Sequence, residues 1–149
     1  MADGLETVRL ASAQYGEPLF LLGESLGCGV AAAVAKETSS KIAGIVLITP
    51  WDSLFAVAQT KFPFLPLRLL LKDKYDSINN LRSFAGRIAV VGADRDEVIP
   101  IKHAKQLFAS LPGAGMWIIQ GAGHNDWFIQ TDTKWWKEIM DFVSGRSHG

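Results

Sequence analysis

Residues 19–35 read LFLLGESLGCGVAAAVA. The opening LFLLG is a short continuous apolar run, as expected of a strand covered on both faces. The small-residue run at 26–36 reads as a helix that packs closely on its neighbours. Gly23, Ser25 and Gly27 stand where one pattern gives way to the other. A G-x-S-x-G at a strand-to-helix turn has a mechanical meaning. The turn strains the serine backbone, and glycines two before and two after let strand and helix approach without clash. The hydroxyl then stands clear of the sheet, at the amino end of a helix. The motif alone is weak, because a glycine-rich turn that only packs helix on strand has the same spelling.

Upstream, Leu5, Val8, Ser12 and Tyr15 share one face at helical spacing, which predicts a helix over 4–15 that is stopped by the GEP at 16–18. Downstream, IAGIVLITP (42–50) predicts a second buried strand ended by Pro50, RIAVVG (87–92) a third and MWIIQ (116–120) a fourth. IKHAKQLFASL (101–111) is an amphipathic helix closed by Pro112-Gly113, and 133–145 is a final helix with Trp136, Ile139, Met140 and Val143 facing inward. Residues 51–85 are irregular, mixing prolines, aromatics and a short helical stretch. Strands alternating with helices mean an α/β fold: about four parallel strands joined by right-handed crossovers, with helices on both faces. In such sheets ligands bind beyond the carboxyl ends of the strands.

The bulk properties narrow the class. At 149 residues the chain reads as a single domain, 1–149. Acids and bases balance at 15 each, with no basic stripe, so no nucleic-acid partner is expected. The one cysteine, Cys28, excludes an internal disulfide and offers no metal cluster; neither metal nor cofactor is expected. The start MADGLETVRL has no apolar signal-peptide core, and no apolar run approaches the roughly 20 residues needed to cross a bilayer. A soluble, cytoplasmic protein without a transmembrane segment is the expectation.

Three of the loops after the strands carry chemistry. Ser25 follows the first; GADRDEVIP, with Asp94 and Asp96, belongs to the third; GAGHND, with His124, follows the fourth. A serine is a poor nucleophile until a neighbouring imidazole takes its proton. The imidazole in turn needs a carboxylate to fix its tautomer and stabilise its charged form. All three residue types fall at the carboxyl ends of parallel strands, in the order Ser, Asp, His. A triad geometry is the expectation.

With these motifs the chain resembles the carboxyl-terminal part of an α/β-hydrolase over essentially its whole length, and most of all the esterase, lysophospholipase and serine-aminopeptidase-like branch. GESLGCGVA matches the family's nucleophile elbow, GADRDEVIP its acid loop and GAGHND its histidine loop. The resemblance implies Ser25 as nucleophile, His124 as general base then acid, Asp96 as orienting acid and the Leu26 backbone N–H as oxyanion donor. Asp94 and Asp52 are rival acids. It also implies a lid-like insert at about 51–85, where Phe62, Phe64 and Leu65 fall, and an acyl pocket to which Trp51, Phe62 and Trp127 could contribute. Trp117 and Trp136 are expected in the core. Cys28 reads as a small core residue, Asp126 as a loop or cap residue, His103 as a surface residue and His148 as part of a frayed tail.

The family's usual core has eight strands, and the first four find no counterpart. With them goes the loop that supplies the second oxyanion donor, whose absence typically costs about 10²–10³ in rate. The Ser25 strand becomes an apolar edge. A second copy pairing through residues 19–23 would cover it as a homodimer; otherwise the first half of a longer protein lies elsewhere. The leading functional expectation is a cofactor-free serine hydrolase of carboxylic esters acting on a small ester or acyl substrate. The alternative is a truncated, weakly active or inactive hydrolase-like module that binds a partner or ligand. A nucleotide-binding protein is disfavoured, since the first loop has neither G-x-G-x-x-G nor a Walker lysine.

Overall fold

A computed structural model describes residues 2–52, 58 and 76–146. Phe62, Phe64, Leu65 and His148 lie outside the described residues, as does most of the expected lid-like insert. The described elements run α1 (Ala2–Tyr15), β1 (Leu19–Glu24), α2 (Leu26–Glu37), β2 (Ile42–Ile48), α3 (Ser77–Leu81), β3 (Arg87–Ala93), α4 (Ile101–Ala109), β4 (Gly115–Ile119), a 3₁₀ turn (Trp127–Gln130) and α5 (Thr133–Ser144). The four strands form one parallel sheet in the order β1-β2-β3-β4. This is a partial α/β-hydrolase fold.

Side chains alternate across a strand, so each apolar run feeds two cores. Ile45 and Leu47 of β2, with Ile88 and Val90 of β3, pack against Val8 of α1, the Cys28–Ala35 face of α2, Leu81 of α3 and Leu107 of α4. The intervening Val46, Ile48, Ala89 and Val91 pack on the opposite face against Ile139 and Val143 of α5, together with Trp127. Burial on both faces is why β2 and β3 are unbroken apolar runs. Trp117 and Trp136 pack against this second cluster from its margin.

β1 departs from the sequence reading. Leu19 and Leu21 pack on the helical face, but Phe20 and Leu22 are 37% and 58% exposed on the other. The reason is lateral: α5 covers β2 and β3, and β1 bonds to β2 along one edge alone among the described residues. One inward assignment also shifts. Met140 is exposed, because α5 meets the sheet along the Ile139–Val143 line and Met140 sits about 100° off it. Tyr15, the last residue of α1, is exposed, whereas Val8 on the same face is buried. Among the described residues, no helix is long and apolar enough to cross a membrane.

Candidate functional site

The elbow forms because β1 and α2 meet at an unusually short distance. A side chain at Gly23 would place its Cβ 2.8 Å from the Cys28 Cα and 2.9 Å from the Gly27 carbonyl oxygen, so glycine is required there. Gly27 differs from the expectation: a Cβ there meets nothing within 4 Å. Ser25 takes φ 50°, ψ −120°, a conformation that costs a non-glycine residue on the order of 1–3 kcal/mol and persists only when its surroundings fix it. The fixing bonds are visible. The Ser25 N–H donates to the Ile48 carbonyl (3.0 Å), while the Ser25 carbonyl accepts from the Cys28 N–H (3.0 Å) and from the Trp51 indole N–H (2.9 Å). Cys28 is fully buried, and its Sγ lies 3.2 Å from the carbonyl oxygens of both Gly23 and Ile48, which share its one S–H as acceptors. Burial pushes that thiol's pKa well above the ordinary cysteine value.

Ser25 occupies the N-cap of α2 but makes no side-chain cap bond, which leaves its hydroxyl free to face His124. Ser25 Oγ lies 2.9 Å from His124 Nε2, and His124 Nδ1 lies 2.7 Å from Asp96 Oδ2. The other Asp96 oxygen accepts the backbone N–H groups of Val98 (2.8 Å) and Ile99 (2.7 Å), the first turn of the EVIP stretch. The Asp96 and His124 side chains are 1% and 12% exposed. These three residues, 99 and 28 positions apart along the chain, are thereby brought together at the carboxyl ends of β1, β3 and β4.

The rival acids go elsewhere. Asp94 Oδ1 accepts the Gly121 N–H (2.6 Å), joining the acid loop to the start of the histidine loop. Asp126 braces the same loop by accepting the Gly123 N–H (2.6 Å). Asp52 pairs with His103 Nδ1 at 2.9 Å. His103 is therefore not a surface residue: it is 4% exposed in the first turn of α4, held there by a carboxylate 51 positions away. Its Nε2 is buried without a hydrogen-bond partner among the described residues. Leu26 opens α2 with an exposed side chain, and its N–H belongs to the free amino end of that helix. Trp51 and Trp127, the candidate pocket residues, lie directly beside the elbow at 2% and 9% exposure. Trp51 donates to the Ser25 carbonyl and Trp127 to the Glu24 carboxyl (2.8 Å). These indole contacts, the His103–Asp52 pair and Glu24 itself were not anticipated from sequence; a glutamate inside the elbow was the available signal.

A cleft of about 300 Å³ opens beside His124, lined by Arg95, Glu97, Val98, Asn125 and Asp126 among others. Among the described residues, no group of three or more histidine, cysteine or acidic side chains is placed to hold a metal ion.

Residues 1–143 match the family model described as serine hydrolase. An uncharacterised protein of Mycobacterium tuberculosis is 35% identical over 105 residues, covering 70% of this chain and 37% of that protein. A putative alpha/beta hydrolase of Acanthamoeba polyphaga mimivirus is 25% identical over 127 residues, covering 83% of this chain and 46% of that protein. The matched stretch thus spans under half the length of either curated relative. Among solved structures, an alpha/beta hydrolase enzyme from the sediment metagenome of the Mar Chica lagoon, Morocco, superposes with a TM-score of 0.72 at 16% identity, covering 97% of this chain and 69% of that one. A match over nearly the whole chain makes this chain a member of the serine hydrolase family, and its sheet has the fold of an α/β-hydrolase.

Proposed function

We propose that this chain hydrolyses carboxylic esters through Ser25, His124 and Asp96, with no cofactor. The observation that supports this best is the unbroken series of short contacts Oγ–Nε2 and Nδ1–Oδ2, at 2.9 and 2.7 Å. Ser25 Oγ attacks the acyl carbon as its proton passes to His124 Nε2, and the new imidazolium is stabilised by Asp96. The carbonyl oxygen becomes an oxyanion beside the Leu26 N–H, at the electropositive end of α2. Collapse returns the proton from Nε2 to the departing alcohol. Water, deprotonated by the same nitrogen, then attacks the acyl-serine; the acyl–Oγ bond breaks, Nε2 returns its proton to Ser25 Oγ and the acid is released.

The test is covalent. A fluorophosphonate probe should label the protein once, and peptide mapping should place the adduct on Ser25. A chain that stays unlabelled, or carries the adduct elsewhere, overturns the assignment. Comparing p-nitrophenyl acetate with an acetyl thioester and an anilide then ranks the ester class against its two chemical neighbours.

We further propose that β1 pairs with its counterpart in a second copy, giving one continuous sheet across a two-fold axis. The support is the β1 edge opposite β2, unpaired among the described residues, together with exposed Phe20 and Leu22 beside it. Sedimentation equilibrium at micromolar concentration should give a dimer, and Leu22→Lys, which places charge at that edge, should give a monomer. A monomeric unsubstituted chain refutes the pairing.

A further inference from the structure

The elbow and the histidine loop are joined by a second contact that the proposed chemistry does not use. Glu24, the last residue of β1, immediately precedes the nucleophile. Trp127, three residues after His124, opens the 3₁₀ turn. Its indole N–H donates to Glu24 Oε1 at 2.8 Å across 103 positions of sequence.

The indole is not free to swing. It belongs to the core cluster beneath α5, and it packs edge-on against Phe128 (6.0 Å between ring centres) and against Trp136 of α5 (6.1 Å). Trp136 in turn meets Trp135 at 5.1 Å. The loop between β4 and this turn is otherwise built on glycines, with Gly121 at φ 75°. Its other braces run to itself or to the acid loop: Asp94 to Gly121, the Arg95 N–H to the Ala122 carbonyl, and Asp126 to Gly123. They fix His124 relative to Asp96. The Glu24–Trp127 bond fixes the same loop relative to the strand that carries Ser25.

We infer that Glu24 and Trp127 are positioning residues that set the distance between the nucleophile and its base. Neither hydrogen-bonds to Ser25 Oγ or to the His124 ring, so neither takes part in proton transfer. The inference rests on the reading of Ser25 and His124 given above. Its physical basis is the steepness of the geometric requirement: a misplacement of about 1 Å can cost on the order of 10²-fold in rate. A bond between two side chains on opposite partners of the Oγ–Nε2 contact limits that drift.

The experiment follows fluorophosphonate labelling of the full chain over time, separating the maximal inactivation rate from the half-saturating probe concentration. Glu24→Ala and Trp127→Phe should each slow the maximal rate on the order of tenfold at unchanged half-saturation, because binding is intact and alignment is not. Glu24→Gln keeps an acceptor oxygen and should stay within about twofold of the unsubstituted chain. The double variant Glu24→Ala/Trp127→Phe should be no slower than the slower single one, as expected of two halves of one contact. Circular dichroism and melting check that each variant folds; Glu24 is exposed, so its alanine variant carries the test if Trp127→Phe does not fold. Unchanged rates in Glu24→Ala, a Glu24→Gln variant as slow as Glu24→Ala, or multiplicative losses in the double variant overturn the inference while leaving Ser25 as nucleophile. Absence of Ser25 labelling in the unsubstituted chain overturns both.

Discussion

Ser25→Ala should leave the fold in place and abolish the chemistry. Ester hydrolysis should fall on the order of 10⁶-fold, and fluorophosphonate labelling should disappear. The fold survives because the bonds that hold the strained turn are main-chain bonds at residue 25. Its N–H reaches Ile48, and its carbonyl takes the Cys28 N–H and the Trp51 indole. Alanine keeps all three and tolerates φ 50° as serine does, since both carry a single unbranched Cβ. The lost hydroxyl caps nothing, so the melting temperature should move by less than about 4 °C, or ~1 kcal/mol. Nor can the neighbouring thiol stand in as nucleophile. Cys28, three residues on, is fully buried, its thiol is held protonated by that burial, and its Sγ is committed to two carbonyls. Intact-mass measurement after labelling, run beside p-nitrophenyl acetate hydrolysis and a thermal melt, checks all three expectations. A variant that still forms the adduct would remove Ser25 from the mechanism.

What was legible in the sequence was what short stretches of chain decide by themselves. β2 and β3 were legible because burial on two faces leaves no room for polar residues along IAGIVLI and along IAVVGA, the part of β3 that follows the exposed Arg87. β1 looked the same and is not. An apolar run reports that a strand is apolar, not that something covers both sides, and lateral position in the sheet is not a local property. The three loops were legible for a related reason: each motif is local, and parallel topology delivers all the carboxyl ends to one rim. The elbow's two glycines looked equivalent, yet Gly23 alone answers to a steric limit, set by where α2 returns over the strand. The contacts that were missed all join residues far apart in sequence: Trp51 to Ser25 over 26 positions, Asp52 to His103 over 51, Glu24 to Trp127 over 103. His103 misled for a further reason. An amphipathic pattern marks a histidine as surface, but the first turn of α4 lies where Asp52 can take its ring.

Asp96→Asn should lower the ester hydrolysis rate on the order of 10⁴-fold, whereas Asp94→Asn and Asp52→Asn should each stay within about tenfold of the unsubstituted chain. The difference comes from who donates to whom. One Asp96 oxygen already accepts two backbone N–H groups, from Val98 and Ile99. An asparagine must keep its carbonyl oxygen on those two donors, because turning its NH₂ toward them would set donor against donor in a buried site. The NH₂ is then left facing His124 Nδ1, where Asp96 Oδ2 had been. Nδ1 becomes the acceptor and the ring proton moves to Nε2. That nitrogen now points a proton at Ser25 Oγ and cannot take one from it. The loss is thus one of tautomer, with shape almost unchanged, and the melting temperature should move far less than the rate. Asp94 and Asp52 make no contact with the His124 ring; their carboxyls serve the Gly121 N–H and His103. Losing them slackens a loop or a buried pair without reversing the proton. Steady-state hydrolysis of p-nitrophenyl acetate by the three variants, each with its melting curve, separates these cases. Comparable rate losses in Asp94→Asn and Asp96→Asn would mean that the acid loop acts by holding its shape, and the tautomer argument would fall with the assignment of Asp96.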